Sequence, residues 1–399
     1  MKVATIGLGY VGEPFARLCL EKGHEVIGID SDQAKLRSLE DSLIVTDNYS
    51  VIGEADMVCV CVPTPVYENH RPDLSCVVSA CTEVERYLDN NPLVVIESTV
   101  NPGVCRDTVL PILEGTNYSE GQHFNLAHCP ERINPGDLKW HVGNIPRVVG
   151  AISQEGLERA VTFYTSIVDA QVRPMSSIEA TEAVKIMENA FRDVNIAFVN
   201  ELATIYARLG IDITDVIAGA STKPFGFKPF FPGCGVGGHC IPVDPYYLID
   251  QAEREGLDPG FLSRARKVNE GMPGYTVDLL ISALNDVKLP VNGTTVGLLG
   301  LSYKPGIRDL RESPSLDIRK RLLELGANLR VYDPYVPEES TVGSIGELLD
   351  GCDAIVLATA HEEFLNLDVS GLKVVVDGRN FLDKDAIQAL GVRYQGIGR

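Results

Sequence analysis

The segment GVGGHCIPVDP, residues 235–245, places a cysteine where it could do chemistry. Cys240 follows two glycines and a histidine, and Pro242, Asp244 and Pro245 come after it. Glycine and proline at this density predict an ordered turn rather than a helix or a strand. A cysteine in such a turn can be inert packing, half of a disulfide, a metal ligand or a nucleophile, and the other residues must decide among these.

A second chemical signature is GLGYVG, in which Gly7, Gly9 and Gly12 follow a strand pattern and open a helical one. In this motif the glycines allow a tight turn and the close approach of a pyrophosphate to the helix N-terminus. Asp30 ends the second predicted strand, where a carboxylate hydrogen-bonds a ribose 2′-hydroxyl and repels a 2′-phosphate. This order predicts a dinucleotide site that prefers NAD to NADP, the alternative being a tight turn without a ligand.

Other polar residues have two interpretations each on spacing alone. Lys185 and Asn189 share a helix face, where a lysine and an amide can polarise a substrate oxygen, or where both simply meet solvent. Glu131 lies in a loop rich in Pro and Gly, where it is either a general base or an ordinary charged loop residue. Thr99 ends a strand at the edge where doubly wound sheets bind ligands, or only satisfies that strand end.

Cations gather in the turn YKPGIRDLRESP, which holds Lys304, Arg308 and Arg311, and Arg379 closes a later strand. The chain carries a formal charge of −20, so cations concentrated at strand ends favour a site for a di-anionic molecule. Ordinary surface charge is the alternative.

Composition narrows the class of protein. A chain of 399 residues is expected to form two or three domains, and its negative charge argues against nucleic acid as a partner. No window is long and apolar enough for a membrane span, and MKVATIGLG at the N-terminus is unlike a signal peptide. The ten cysteines are scattered without zinc-type spacing, which predicts a reduced, cytoplasmic protein without a metal site. Cys59 and Cys61 are expected to face the core.

The elements that must position these residues follow an alternation of strand and helix. It runs through the first hundred residues and recurs near the C-terminus, which predicts two parallel sheets covered by helices. Residues 179–211 form a long helical pattern without Pro or Gly before Gly210. This helix is expected to serve as a spine, as a dimer interface or as a helix of a bundle within one domain. We therefore predict an α/β fold with two Rossmann-like, doubly wound parallel-sheet domains, 1–176 and 286–399, joined by a long-helix dimerisation domain, 177–285.

Along the chain stand, in order, the motifs GLGYVG, PTP at 63–65, ESTV, PER, EAVK…EN, GGHC…D, GLSYKP and DGRN. Together they resemble the UDP-glucose/GDP-mannose dehydrogenase family of NAD-dependent nucleotide-sugar 6-dehydrogenases, across essentially the whole chain. The family oxidises a sugar's C6 alcohol to a carboxylate with two NAD and does not release the aldehyde. By this resemblance Cys240 attacks the aldehyde to give a thiohemiacetal, which is oxidised to a thioester. The chemistry needs such a device, because a second hydride leaves only from a tetrahedral carbon bearing oxygen.

The resemblance also implies roles for individual residues. Lys185 with Asn189 stabilises the alkoxide and oxyanion, and Asp244 assists proton transfer near the cysteine. Glu131 and Thr99 position or activate the hydrolytic water. The NAD site is implied to hold Gly7, Gly9, Gly12, Asp30, Lys35, Thr64, Thr99 and Arg311. The substrate site is implied to hold Glu131, Arg132, Lys185, Asn189, Lys223 (reaching a neighbouring subunit's site), Phe230, Gly237, Lys304 and Arg379.

Departures from the glucose branch are informative. The glucose branch typically has the pattern GGSC…KD, with Ser before the cysteine and Lys before the aspartate. In this sequence His239 precedes Cys240 and Val243 precedes Asp244. Together with PERINPGD, this resembles the branch that acts on UDP-N-acetylhexosamines. Cys234, in PGCG where that branch has PGPG, is a neutral substitution or a disulfide partner on oxidation.

We therefore expect a cytoplasmic homodimer or higher homo-oligomer that oxidises UDP-GlcNAc or UDP-ManNAc for polysaccharide or glycan precursors, without nucleic acid or membrane. Three alternatives stay open. The first is UDP-glucose 6-dehydrogenase. The second is a two-electron β-hydroxyacid dehydrogenase, and the third is an inactive nucleotide-sugar-binding protein.

Overall fold

The computed structural model describes residues 1–133 and 139–399, which divide into two compact units. The first unit comprises Met1–Glu188 and Tyr246–Leu257, and the second Asn189–Pro245 and Asp258–Arg399. Each contains one sheet whose strands alternate with helices along the chain, so the predicted α/β class with two Rossmann-like sheets is confirmed. Part of the PERINPGD segment lies outside the described residues.

The first unit is built on an eight-stranded sheet of order β3-β2-β1-β4-β5-β6-β7-β8. Neighbouring strands are parallel except β6 and β7, which are antiparallel. The strands are β1 Lys2–Ile6, β2 Glu25–Ile29, β3 Ile44–Thr46, β4 Met57–Val60, β5 Leu93–Ile96, β6 Asn125–His128, β7 Arg147–Ala151 and β8 Val172–Pro174. The helices are α1 Gly12–Glu21, α2 Gln33–Leu39, α3 Ser75–Glu85, α4 Leu110–Glu114 and α5 Gln154–Ile167.

Both faces of this sheet are buried. Alternate residues of β4 join different apolar clusters, with Val58 and Val60 in one and Met57 and Cys59 in the other. Successive side chains of a strand point to opposite faces, so helices must cover both. Cys59 and Cys61 are buried in the second cluster, as the sequence predicted.

The second unit contains a five-stranded, all-parallel sheet of order β10-β9-β11-β12-β13. Its strands are β9 Thr295–Leu299, β10 Asn328–Tyr332, β11 Ala354–Leu357, β12 Val374–Asp377 and β13 Arg393–Gly396. Its helices are α7 Ile213–Ser221, α9 Gly260–Asp286, α10 Pro314–Glu324, α11 Ile345–Leu349 and α12 Lys384–Ala389.

Two helices connect the units along the chain, α6 Ile178–Leu209 and α8 Asp244–Arg254. The 32 residues of α6 confirm the predicted long helix. It stops before Gly210, whose φ of 72° suits the residue that follows a helix. Of the described helices, none is apolar over a stretch long enough to cross a bilayer.

Candidate active site

Glycines shape the turn between β1 and α1. Gly7 has a φ of 86°, and a Cβ atom there would lie 2.7 Å from the Cys61 carbonyl oxygen. At Gly12 a Cβ atom would come within 1.8 Å of the Gly7 carbonyl oxygen, so a larger residue does not fit. Gly9 is exposed and has nothing within 4 Å of such an atom. The open space beside Gly9 fits the pyrophosphate of a dinucleotide at the helix N-terminus.

Asp30 follows β2 and braces the same turn. One carboxylate oxygen accepts a hydrogen bond from the Leu8 N–H (2.8 Å) and the other from the Asp32 N–H (2.9 Å). Lys35, on α2, instead forms an ion pair with Glu13, with 2.5 Å between Nζ and Oε2. A contact between Lys35 and the cofactor must therefore compete with this pair.

We expect Gly9→Ala to raise the dissociation constant for NAD at least about tenfold without changing the unfolding temperature. The added methyl group meets no protein atom, but it takes up room that the pyrophosphate needs. Isothermal titration calorimetry measures the effect. Gly371→Ala, at an exposed glycine with equally open surroundings, is the matched control. Unchanged NAD affinity in Gly9→Ala would contradict this placement of the cofactor.

Two predicted threonines follow neighbouring strands of the first sheet. Thr64 comes after β4 and Thr99 after β5, and these strands pair in parallel, so both residues lie at the sheet edge where ligands bind. The start of α8 is fixed to the same loops. The Tyr247 hydroxyl donates to the Thr64 carbonyl (2.5 Å), and the Asn101 amide donates to the Tyr247 carbonyl (2.6 Å). No sequence pattern indicated this role of Tyr247.

Glu131, which follows β6, is a buried carboxylate held from two sides. One oxygen accepts hydrogen bonds from the N–H groups of Arg132 (2.5 Å) and Ile133. The other lies 2.8 Å from Nη1 of Arg147, whose side chain is fully buried. The Arg132 guanidinium itself pairs with Glu188 on α6. Arg147 was not among the predicted site residues.

Lys185 and Asn189 lie one turn apart on α6, and both side chains are buried. The Asn189 amide donates a hydrogen bond of 2.5 Å to a carboxylate oxygen of Asp244, which is also buried. Buried polar groups of this kind require such partners. Two of the predicted catalytic residues therefore meet within the second unit.

The cysteine loop contains neither helix nor strand over residues 235–243, which confirms the predicted turn there. The turn ends two residues before the end of the quoted segment, because α8 already begins at Asp244 and Pro245 is well suited to the first turn of a helix. The Cys240 carbonyl accepts hydrogen bonds from the N–H groups of Val243 (3.1 Å) and Asp244 (2.8 Å). Half-buried Cys240 is thus one tight turn away from the Asn189–Asp244 pair.

The glycines before Cys240 pack closely on the turn after β9. A Cβ atom at Gly237 would lie 2.6 Å from the Tyr303 Cβ, and one at Gly238 would lie 2.8 Å from the Tyr303 ring. The Gly238 N–H also donates to the Arg311 carbonyl (2.9 Å). Glycine is needed for this approach, so Tyr303 supports the cysteine loop.

Cys234 and Arg379 fasten the start of the same loop. The Cys234 thiol donates to the Ala358 carbonyl (3.3 Å), and its N–H donates to the Gly378 carbonyl (2.9 Å). Cys234 is not part of a disulfide in this structure. The Arg379 guanidinium donates to the carbonyls of Ala358 (2.7 Å) and Gly235 (3.4 Å). A residue predicted to contact UDP therefore also holds the cysteine loop.

Carboxylates accompany the predicted cation cluster. Arg308 pairs with Glu338 (2.7 Å) and Arg311 with Asp309 (2.5 Å), while Lys304 lies in the same turn. A diphosphate bound at this turn would compete with these carboxylates for the two arginine side chains.

Lys223 and Phe230 lie in the segment between α7 and the cysteine loop. The Lys223 ammonium is 5.0 Å from the centre of the Phe225 ring. The Phe230 ring is 5.9 Å from that of Phe191 on α6. Lys223 is exposed, as a residue that reaches another subunit would be.

The acid that follows β10 in the second unit, Asp333, is the counterpart of Asp30 but is used differently. It accepts hydrogen bonds from the N–H groups of Leu301 (2.7 Å) and Ser302 (2.8 Å) and from Nε2 of His361 (3.1 Å). Burial alone would raise the pKa of Asp333, but these bonds hold it well below its usual value. Asp30 also accepts two backbone N–H bonds but is only half-buried, whereas Asp333 is fully buried and has His361 as a further partner.

Comparison with known proteins links these features to one family. Three domains of the UDP-glucose/GDP-mannose dehydrogenase family match the chain. The NAD binding domain matches residues 1–46 and 39–168, the central domain residues 179–271, and the UDP binding domain residues 297–384.

Individual relatives are similar along their whole length. The UDP-N-acetyl-D-glucosamine 6-dehydrogenase of Pseudomonas aeruginosa is 36% identical over 96% of this chain and 98% of its own. The structure of the UDP-D-ManNAc dehydrogenase from Pyrococcus horikoshii has a TM-score of 0.93 and 34% identity, covering 100% of this chain and 99% of that one. A UDP-glucose dehydrogenase structure from Pyrobaculum islandicum has a TM-score of 0.89 and 28% identity, covering 100% and 97%.

Proposed function

This chain belongs to the UDP-glucose/GDP-mannose dehydrogenase family, and we propose that it oxidises the C6 hydroxyl of a UDP-N-acetylhexosamine to a carboxylate. Each sugar would consume two NAD⁺ and one water and yield two NADH and three protons. NAD is the cofactor, since the family's NAD binding domain matches residues 1–168. The higher identity to the N-acetylglucosamine and ManNAc enzymes than to the glucose enzyme supports the N-acetylated substrate.

The observation that carries the mechanism is the arrangement of Cys240, Asp244 and Asn189. The Cys240 carbonyl accepts from the Asp244 N–H, and the Asp244 carboxylate accepts from the Asn189 amide, so the three residues are held together. When bound, NAD accepts a hydride at each oxidation stage. In our proposal Cys240 adds to the aldehyde carbon to give a thiohemiacetal, and its sulfur is retained in the thioester.

The other predicted catalytic residues would stabilise charge and activate water. Lys185 and Asn189 stabilise the oxyanion that develops on the substrate oxygen at C6. Asp244 takes and returns protons at the cysteine. Glu131 and Thr99 orient the water that attacks the thioester carbonyl, which releases the carboxylate and restores the Cys240 thiol.

We also propose that three successive parts of the chain have different functions. Residues 1–176 would bind NAD, residues 177–285 would carry the cysteine and dimerise, and residues 286–399 would bind UDP through Lys304 and Arg379. The three matched family domains fall within these ranges and support the division.

A competition among sugars tests the substrate. The ratio kcat/KM is measured for UDP-GlcNAc, UDP-ManNAc and UDP-glucose with NAD⁺. We expect one N-acetylated sugar to exceed UDP-glucose by at least about tenfold, which corresponds to about 1.4 kcal/mol of differential transition-state binding. Preference for UDP-glucose would place the chain with the glucose enzymes. Binding of UDP-sugars without turnover would leave it a nucleotide-sugar-binding protein.

A homodimer through α6 is the quaternary structure we propose. Phe191, Phe198, Ile205 and Leu209 are exposed and recur at intervals of seven, seven and four residues, so they form one apolar stripe. The same stripe on a second copy of the chain would cover it in a two-fold interface. We expect Phe198→Glu to convert the dimer to a monomer in sedimentation, whereas wild-type protein that is already monomeric would contradict the proposal.

A further inference from the structure

A buried arginine, Arg147, forms an ion pair with Glu131. Arg147 begins β7, and its side chain is fully inaccessible to solvent. Its guanidinium lies 2.8 Å from one carboxylate oxygen of Glu131 and donates a longer bond of 3.4 Å to the Val142 carbonyl. Because the other Glu131 oxygen accepts backbone N–H bonds from Arg132 and Ile133, both oxygens are directed by the protein.

A second carboxylate shares this pocket. Glu97 follows β5, is buried, and accepts a hydrogen bond of 2.6 Å from the Tyr164 hydroxyl on α5. The Arg147 guanidinium lies 6.0 Å from the centre of the Tyr164 ring. Burial raises the pKa of Glu97 to about 7, and the positive charge of Arg147 acts in the opposite direction.

The other titratable groups that face Glu97 are neutral near pH 7. Burial raises the pKa of the thiols of Cys19, Cys59 and Cys129, and it also raises the pKa of the Tyr164 hydroxyl. The Cys61 thiol lies against Cys59 and Glu97. In the described ranges, the charges in this pocket are therefore those of Arg147, Glu131 and, once ionised, Glu97.

We propose that Arg147 is a positioning residue that orients the Glu131 carboxylate toward the reacting water. We propose further that Glu97, once ionised, is a second carboxylate that interacts electrostatically with the same guanidinium. The inference rests on the proposed function, in which Glu131 serves the hydrolytic water. While Glu97 holds its proton, the Arg147 charge acts on Glu131 alone. When Glu97 loses that proton, the two carboxylates share one cation, and Glu131 is less firmly held.

A double-mutant cycle on the full-length protein tests the role of Arg147. Wild type, R147K, E131Q and R147K/E131Q are compared by kcat and KM for the preferred UDP-sugar. Lysine keeps the buried positive charge, so the fold is retained, but it lacks the planar guanidinium. We expect R147K to lower kcat at least about tenfold with KM changed less than about threefold, and to have less than about a twofold effect in the E131Q background.

Equal effects of R147K in both backgrounds would overturn the inference, since a purely structural arginine costs the same with or without Glu131. R173K, at an exposed arginine of β8, is the matched control. Wild-type protein that forms no NADH from any UDP-sugar would overturn the proposed function itself. Wild-type turnover with an additive cycle would overturn only the role of Arg147.

The pH profile tests the role of Glu97. E97Q keeps an oxygen that accepts from Tyr164 but cannot ionise. We expect the wild-type kcat profile to inflect near pH 7 and the E97Q profile to lack that inflection. An identical inflection in both proteins would show that Glu97 does not share the charge of Arg147.

Discussion

Replacing Cys240 by alanine is expected to lower steady-state NADH formation from the UDP-sugar by about 10⁴-fold, as loss of a covalent nucleophile does in other enzymes. Without the thiol, the aldehyde carbon has no sulfur to hold it as a thiohemiacetal, so the second oxidation lacks its substrate. Binding of NAD and UDP-sugar should change little, because the Cys240 side chain is only one group of a loop fixed elsewhere by Gly238 and Asp244.

The effect is measured from absorbance at the NADH wavelength under saturating substrates. Cys76→Ala, at a half-buried cysteine on α3, is the matched control and should retain wild-type turnover. Cys240→Ser separates nucleophilicity from shape, and we expect it to be nearly as slow as the alanine variant. Turnover within about tenfold of wild type in Cys240→Ala would mean that the cysteine is structural.

Lys185→Met is expected to lower kcat by about 10³-fold, because it removes the positive charge that stabilises the oxyanion in both oxidations. Methionine has a similar length, and the site is already buried, so the apolar contacts of α6 are largely preserved. The loss should appear in kcat rather than in KM, since the charge on the substrate oxygen develops only in the transition state.

Steady-state kinetics at several substrate concentrations distinguish the two parameters. Lys320→Met, at an exposed lysine of α10, controls for the general loss of a positive charge. A variant whose KM rises while kcat is unchanged would show that Lys185 only binds the sugar.

The sequence predicted local features of the fold well where chemistry dictates backbone shape. Gly7 and Gly12 cannot carry side chains in their turn, and the turn before Cys240 is rich in glycine for the same reason. Propensity is a poorer guide to α9, which continues through Gly271 and Pro273. Burial of Met272 and Val277 on that helix outweighs the local preference.

Residues that act through tertiary contacts could not be found from spacing. Arg147 sits in an apolar strand sixteen residues from Glu131, and nothing in IPRVVGA indicates that its guanidinium is buried. Tyr303 and Tyr247 likewise support predicted loops from distant positions. Arg308 was predicted in an anion site, but whether a nearby Glu338 pairs with it depends on the folded chain.

The number of NADH molecules formed per UDP-sugar consumed tests the central claim most directly. The sugar is supplied as the limiting reagent with excess NAD⁺, and NADH and the product uronate are quantified together at the end of the reaction. A four-electron oxidation through Cys240 predicts two NADH for every sugar and no free aldehyde. One NADH per sugar, with an aldehyde or ketone as the product, would contradict the thioester mechanism.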